Sequence, residues 1–194
     1  TTLKVMTGYL SPTAGNVFVD DLNIIDNFID IQKNIGYLPE LNPLYSDMRV
    51  YDYLKFIAYM RGLDNISFSD SFERVISQCS LESVIQKNIS ECSKGFKQRI
   101  GLASAIIHDP KILILDEPVS GLDPNQIVEI RELIKTLGKE KIVIMSSHIL
   151  QEIEATVDRI IIINEGEIVA DGTPNDIVSG SKGKCKLELE VKAS

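Results

Sequence analysis

Two adjacent carboxylates, Asp116 and Glu117, follow the unbroken apolar run Ile112 to Leu115 in the stretch ILILDEPVSGLDP. A strand that ends in such a pair at the carboxyl edge of a parallel sheet delivers both side chains to the crevice where such sheets bind ligands. There Asp116 can hold a magnesium ion, directly or through water, and Glu117 can polarise an attacking water. An acidic turn behind a core strand carries the same two letters, so the neighbouring motifs decide between the readings. The run SGLD, Ser120 to Asp123, comes next, and one helix and one strand later SSHIL sets His148 at a second strand end. Neighbouring parallel strands end together, so His148 could reach a terminal phosphate beside Glu117. Upstream, CSKGFKQR (Cys92 to Arg99) opens a helix with Ser93 and Gly95. A hydroxyl, free backbone N–H groups and the positive end of a helix dipole make that an anion-binding tip, although a plain capped helix start would look the same in isolation. His108, in IHDP, has no such context and is assigned no role. No glycine-rich phosphate cradle precedes the carboxylates.

The elements that must position these residues are legible in the periodicity. Residues 1–10 read as a helix already under way, with Leu3, Met6 and Leu10 at helical spacing, broken by SPTAG. Asn16 to Asp20 and Ile35 to Leu38 read as short strands. Val50, Tyr53, Leu54, Ile57 and Met60 mark one face of a helix from Asp47 to Arg61, stopped by Gly62. A further helix or pair is expected between Phe72 and Ile89, then one capped by Ser93 and running from about Lys94 to Ile107. After Pro110 the pattern becomes strand (Lys111 to Leu115), helix (Pro124 to Leu137), strand (Lys141 to Ser146), an alternation that implies a parallel sheet with helices packed on it. Arg159 to Ile163 and Glu167 to Asp171 flank NEG as a hairpin, and TPND (Thr173 to Asp176) is a helix start. The segment Lys184 to Lys192 alternates as one more strand, behind a linker GSKGK, Gly180 to Lys184.

Bulk composition narrows the classes. A chain of 194 residues, 44% hydrophobic and 25% charged, is ordinary for a globular protein with one core. A net charge of −8 with no basic block argues against a general affinity for nucleic acid or anionic membrane. Cys79, Cys92 and Cys185 are neither close-paired nor even in number, which disfavours a zinc site or a disulfide framework. Apolar runs such as Ile160 to Ile163 are far below the roughly 18 residues of a membrane span. The first residues lack the pattern of a signal peptide, so the cytoplasm is the default. They also lack an initiator Met, and the expectation is a chain that begins within a domain, or an end that reflects processing.

Together these motifs resemble the ATP-binding cassette family, the nucleotide-hydrolysing domains of ABC transporters. ILILDEP resembles the family's Walker B strand, with Asp116 at the metal and Glu117 as catalytic base; SGLD resembles its D-loop, with Asp123; and His148 its switch histidine. CSKGF resembles the signature loop that usually reads Leu-Ser-Gly-Gly-Gln, with only Ser93 and Gly95 in agreement, and the resemblance carries nucleotide contact to Ser93, Lys94, Gly95 and Phe96. IGYLPE stands where the family has its Q-loop, with Glu40 in place of glutamine as a ligand of magnesium or water. The SKG and YLPE variants, with SDMRVYDYLKF after them, resemble the type 2 exporter branch, which includes polysaccharide, drug and gliding-motility ATPases. TTLKVMTG resembles the residues that follow the family's phosphate loop, so Thr1 and Thr2 are expected to be its last residues, with the lysine and glycines ahead of Thr1.

The resemblance implies an α/β fold, a P-loop NTPase of the ABC type with a mostly parallel sheet core and a helical subdomain, incomplete at the N-terminus. It divides the chain into a partial nucleotide-binding core (1–39), a helical subdomain with the signature loop (40–109), a second core portion (110–180) and the start of an extension (181–194). It implies ATP and Mg2+ as cofactors and, as partners, a second ATPase subunit, identical or not, and a transmembrane permease at the cytoplasmic face of the membrane, with no nucleic acid. Two copies would close head to tail on two ATP molecules, and hydrolysis would reopen them. These 194 residues alone are expected to be inactive, with an exposed sheet edge prone to association. Two other readings stand beside this one: a binding-only remnant of the cassette, and a soluble cassette protein acting in translation or chromosome maintenance.

Overall fold

The computed structural model describes residues 1–149 and 154–180. In chain order its elements are α1 (Thr2–Met6), β1 (Phe18–Val19), β2 (Leu22–Asn23), α2 (Phe28–Lys33), β3 (Ile35–Leu38), α3 (Val50–Met60), α4 (Asn65–Cys79), α5 (Lys94–Ile106), β4 (Ile112–Leu115), α6 (Pro124–Gly138), β5 (Ile142–Met145), β6 (Ile160–Asn164), β7 (Glu167–Gly172) and α7 (Pro174–Gly180). The described residues divide into two units, one ending at His148 and the other beginning at Ile149.

Four consecutive apolar residues cannot alternate inside and outside, and β4 is accordingly covered on both faces. Leu113 and Leu115 are buried in a core shared with α3, α4, α5 and α6. Ile114 points the other way, against Ile24, Ile31 and Ile35, with Leu3 and Met6 of α1 packed around them. β4 is the middle of a three-stranded sheet, order β3-β4-β5, parallel throughout. Its register runs from Ile35, Ile112 and Ile142 at one end to Leu38, Leu115 and Met145 at the other. Parallel neighbours require crossovers: α3, α4 and α5 lie between β3 and β4, and α6 between β4 and β5. Gly36 lets α5 sit directly on β3, because a Cβ there would overlap the Ala105 carbonyl oxygen and lie 2.9 Å from Pro110 Cγ.

Several boundaries differ from the sequence expectation, each for a local reason. α1 ends at Met6 rather than Leu10, because the chain turns through Gly8 at φ +70. The strand expected over 16–20 shrinks to Phe18–Val19 and pairs with β2 as a hairpin. Its turn, Asp20-Asp21, has both residues left-handed, a conformation Asp tolerates better than most. α2 was not anticipated; a six-residue helix is too short for its apolar spacing to stand out. α3 starts at Val50, three residues after Asp47. α4 starts at Asn65 rather than near Phe72, because the Asp64 side chain accepts the Ser67 N–H at 2.8 Å as an N-cap. The remainder of the stretch to Ile89 is two 3-10 turns. α5, β4, α6 and β5 lie within a residue or so of their expected bounds.

In the second unit, β6 and β7 form the expected hairpin around Glu165-Gly166. Arg159 holds Asp171 with two hydrogen bonds of 2.7 Å. Thr173 and Asp176 cap α7 reciprocally, each backbone N–H bonded to the other's side chain. The strand expected over 184–192, its linker beyond Gly180, Cys185 and the extension 181–194 lie outside the described residues.

His108 is a half-buried histidine of the first unit. Its Nε2 lies 3.2 Å from the Ile35 carbonyl oxygen, and Nδ1 is buried with no hydrogen-bond partner among the described residues. Burial, reinforced by the Arg61 charge, pushes its pKa down to about 4, with the Ile35 carbonyl and Asp109 opposing and Lys141 adding to the depression. The unfolded chain therefore binds this proton first, so the neutral form stabilises the fold above pH 6.5 and that contribution is lost as pH falls toward 4. Urea denaturation should find the protein about 2 kcal/mol less stable at pH 5 than at pH 7.5 from this group, and His108→Gln should remove most of that difference. An unchanged pH slope in the variant would contradict the assignment.

Candidate active site

The register of the sheet brings three chain segments to one edge. One residue beyond the ladder, the Asp116 N–H donates to the Leu38 carbonyl and the Ser146 N–H to the Leu115 carbonyl, each at 2.9 Å. Asp116 and Glu117 are half-buried there. The Ser146 hydroxyl donates to Asp116 Oδ1 at 2.7 Å and accepts the Glu117 N–H at 2.9 Å. Glu117 Oε2 lies 2.9 Å from His148 Nδ1, with the carboxylate side chain 16% and the imidazole 68% exposed. Asp116, Glu117 and His148 are thus brought together, as their strand-end positions in the sequence require.

Glu117 has φ +52, a left-handed conformation that costs a side-chain-bearing residue about 1–2 kcal/mol. The turn behind it is fixed from several directions. The Ser120 N–H donates to the Glu117 carbonyl at 3.1 Å, and the buried Gln98 donates from Nε2 to the Pro118 carbonyl at 2.8 Å. Asp123 accepts the Gln126 N–H at 3.0 Å and so caps α6, with Pro124 at its first position.

The tip of α5 packs against the same turn. Ser93 caps the helix by accepting the Phe96 N–H at 3.3 Å. Gly95 is covered by the Gln126 side chain, and the Lys94 ammonium lies where a Cβ on Gly121 would be; Gly121 itself has φ +66. One turn further along, Arg99 pairs with Glu129 of α6. Lys94 therefore reaches back to its own chain's SGLD turn. Loop 39–42 is also tied to α5, through a 2.8 Å bond from Asn42 Nδ2 to the Lys97 carbonyl. Glu40 is exposed in that loop. Burial, then the negative charges of Asp116, Tyr9 and Glu40, raise the pKa of Tyr37 on β3. Thr1 and Thr2, exposed at the start of α1, and Glu40 make no side-chain hydrogen bond to the carboxylate cluster among the described residues.

Sequence reasoning passed over Ser146, Gln98, Gln126 and Asn42. The first had a signal, since it ends the strand that carries His148. Gln98 is a polar residue on the buried side of α5, which periodicity alone treats as an irregularity. Gln126 and Asn42 act through contacts with distant segments and left no local trace.

The sequence profile described as ABC transporter matches residues 1–120. Among curated relatives, the lantibiotic transport ATP-binding protein SrtF of Streptococcus pyogenes is 37% identical over 180 residues, 90% of this chain and 76% of that protein. The bacitracin transport ATP-binding protein BcrA of Bacillus licheniformis is 35% identical over 173 residues, 88% of this chain and 56% of that one. ABC transporter A family member 1 of Dictyostelium discoideum is 31% identical over 172 residues, 89% of this chain and 20% of that one. The chain therefore spans about half the length of several relatives and a fifth of the Dictyostelium protein. Among solved structures, cbiO1 from Clostridium perfringens, part of the ABC transporter complex cbiONQ, superposes with a TM-score of 0.82 at 25% identity, covering 92% of this chain and 73% of that one. An ATP binding subunit of an ABC transporter gives 0.80 at 27% identity, covering 94% and 78%.

The bond from Gln98 to Pro118 yields a stability prediction. Gln98→Leu keeps the packing volume and leaves a buried carbonyl unpaired, which costs about 1–3 kcal/mol. Urea denaturation should register that loss without a change in slope. A variant as stable as the parent would mean that the turn is held by its other contacts.

Proposed function

The chain belongs to the ABC transporter family, and from that premise we propose that it is the ATP-hydrolysing subunit of a membrane exporter, with Glu117 as the base that orients water and His148 beside it. The observation that carries the reading is the 2.9 Å contact between Glu117 Oε2 and His148 Nδ1 next to the Ser146-held Asp116. Glu117 keeps Oε1 without a hydrogen bond among the described residues, so one oxygen faces His148 and the other is available to a water. In this half-buried setting the carboxylate meets weaker dielectric screening than in bulk solvent. His148, exposed at the strand end, is positioned to contact a terminal phosphate oxygen.

Asp116 fits a magnesium ion. Its Oδ1 is engaged by Ser146, and Oδ2 carries no hydrogen bond among the described residues. Such an ion takes one or two carboxylates together with phosphate oxygens and water. Asp116, with Glu40 as a second oxygen source, would hold the ion, which supplies charge neutralisation on the phosphates. Thr1 and Thr2 would continue the phosphate loop. Ser93, Lys94, Gly95 and Phe96 at the α5 tip, with Asp123 in the adjoining turn, would meet the nucleotide of a second copy, so that ATP joins two subunits head to tail.

Residues 40–109 are proposed to pass the closure to a transmembrane permease at the cytoplasmic face; no described helix is long and apolar enough to cross a membrane. The bacitracin and lantibiotic transport relatives support a role in transport, and the outward direction is part of the proposal. The 194 residues contain no G-x-x-x-x-G-K-[ST] run, and turnover is proposed only for the chain together with that loop.

In protein carrying the loop, Glu117→Gln should lower steady-state ATP hydrolysis by about 10²- to 10⁴-fold, and His148→Ala should also lower it markedly. ATP binding, measured by equilibrium titration, should survive both. Unchanged hydrolysis in Glu117→Gln would remove Glu117 from the role of base.

A further inference from the structure

Ser146 makes three hydrogen bonds to three consecutive residues. Its N–H donates to the Leu115 carbonyl at 2.9 Å, its hydroxyl donates to Asp116 Oδ1 at 2.7 Å, and its hydroxyl oxygen accepts the Glu117 N–H at 2.9 Å. The direction of the two side-chain bonds is fixed by chemistry. An amide N–H can only donate, so the oxygen of Ser146 must accept from Glu117, and its single proton is left for the Asp116 carboxylate. Both functions of the hydroxyl are therefore used, one on each member of the carboxylate pair. The bond to Oδ1 restrains rotation of the Asp116 carboxylate and leaves Oδ2 as its open oxygen. The bond to the Glu117 N–H helps hold a backbone that sits at φ +52, the conformation in which the Glu117 side chain meets His148. One residue, Ser147, separates Ser146 from His148 just past one strand end, so the path Ser146, Asp116, Glu117, His148 closes on itself.

We propose that Ser146 is a positioning residue for the hydrolytic reaction, setting through one hydroxyl both the metal-facing oxygen of Asp116 and the direction of Glu117. This rests on the roles given above to Asp116 and Glu117. The position requires a hydroxyl: threonine retains both bonds, whereas valine, which matches threonine in shape, and alanine lose both.

The test compares Ser146→Thr with Ser146→Val, a pair that differs by one hydroxyl against one methyl. In nucleotide-free protein, amide hydrogen exchange at Glu117 should speed up roughly 10-fold or more in Ser146→Val and stay near the parent rate in Ser146→Thr. In protein that carries the phosphate loop, Ser146→Val should lower kcat about 10- to 100-fold with KM for ATP little changed, and raise the Mg2+ concentration for half-maximal rate several-fold. Ser146→Thr should restore both. Valine and threonine variants that behave alike in exchange would overturn the hydrogen-bond assignment, and faster exchange with unchanged kcat and Mg2+ dependence would overturn the positioning role. Glu117→Gln run alongside separates the two claims: if it leaves hydrolysis intact, the base assignment has failed, and the proposal with it. If it abolishes hydrolysis while Ser146→Val does not, only the proposal has failed.

Discussion

The parallel pairing of β4 with β3 on one side and β5 on the other, in a single register, is the constraint from which the site follows. Four residues, Ile112–Leu115, are held on both edges by backbone bonds and on both faces by apolar side chains. A slip of one residue would turn Ile114 toward the helices and Leu113 and Leu115 toward Ile24 and Ile31, so the two-sided burial fixes the register as well as the strand. That register sets where the strands end. Because Leu38, Leu115 and Met145 are level, Asp116, Glu117 and Ser146 leave the sheet together, and the hydroxyl of one strand falls between the carboxylate and the amide of the next.

At that edge the chain departs from relaxed geometry. A left-handed glutamate persists only when its surroundings over-determine it. Here Ser146 holds its N–H, Ser120 its carbonyl, and Gln98 the carbonyl of the next residue. The last of these comes from α5, whose distance from β3 is set by Gly36 against the Ala105 carbonyl. The tip of α5 and the turn after the carboxylates are interlocked further by Lys94 against Gly121, Gln126 over Gly95, and the Arg99–Glu129 pair. The tip of α5 and the carboxylate turn are therefore built as adjoining parts of one packed unit, with Lys94 lying against its own chain's turn.

Much of this was legible in the sequence because the signals were of the kind that a one-dimensional pattern can hold. Buried parallel strands show as unbroken apolar runs, α5 begins with a capping residue at Ser93, and the β6–β7 turn is marked by Glu165-Gly166. Strand-end positions alone brought Asp116, Glu117 and His148 into one place. The failures share a cause as well. α2 and the β1–β2 hairpin are stabilised by what they cover, Ile114 and Ile35 of the sheet, and their own periodicity is too short to see. The α4 start depends on one Asp64 cap that competes with an equally plausible start downstream. Gln98 and Gln126 act on partners 20 and 31 residues away, and nothing in their own neighbourhoods announces it, whereas Ser146 is marked only by its place at the strand end that carries His148.

The proposed function seats a nucleotide-bound divalent ion at the carboxyl edge of β4, on Asp116. Iron-mediated backbone cleavage reads this directly: Fe2+ replaces Mg2+ in loop-bearing protein, and ascorbate with peroxide cuts the chain near the bound ion. The account predicts ATP-dependent cuts close to Asp116 and Glu117, suppressed by excess Mg2+. Cuts confined to other segments, or unaffected by ATP, would contradict it.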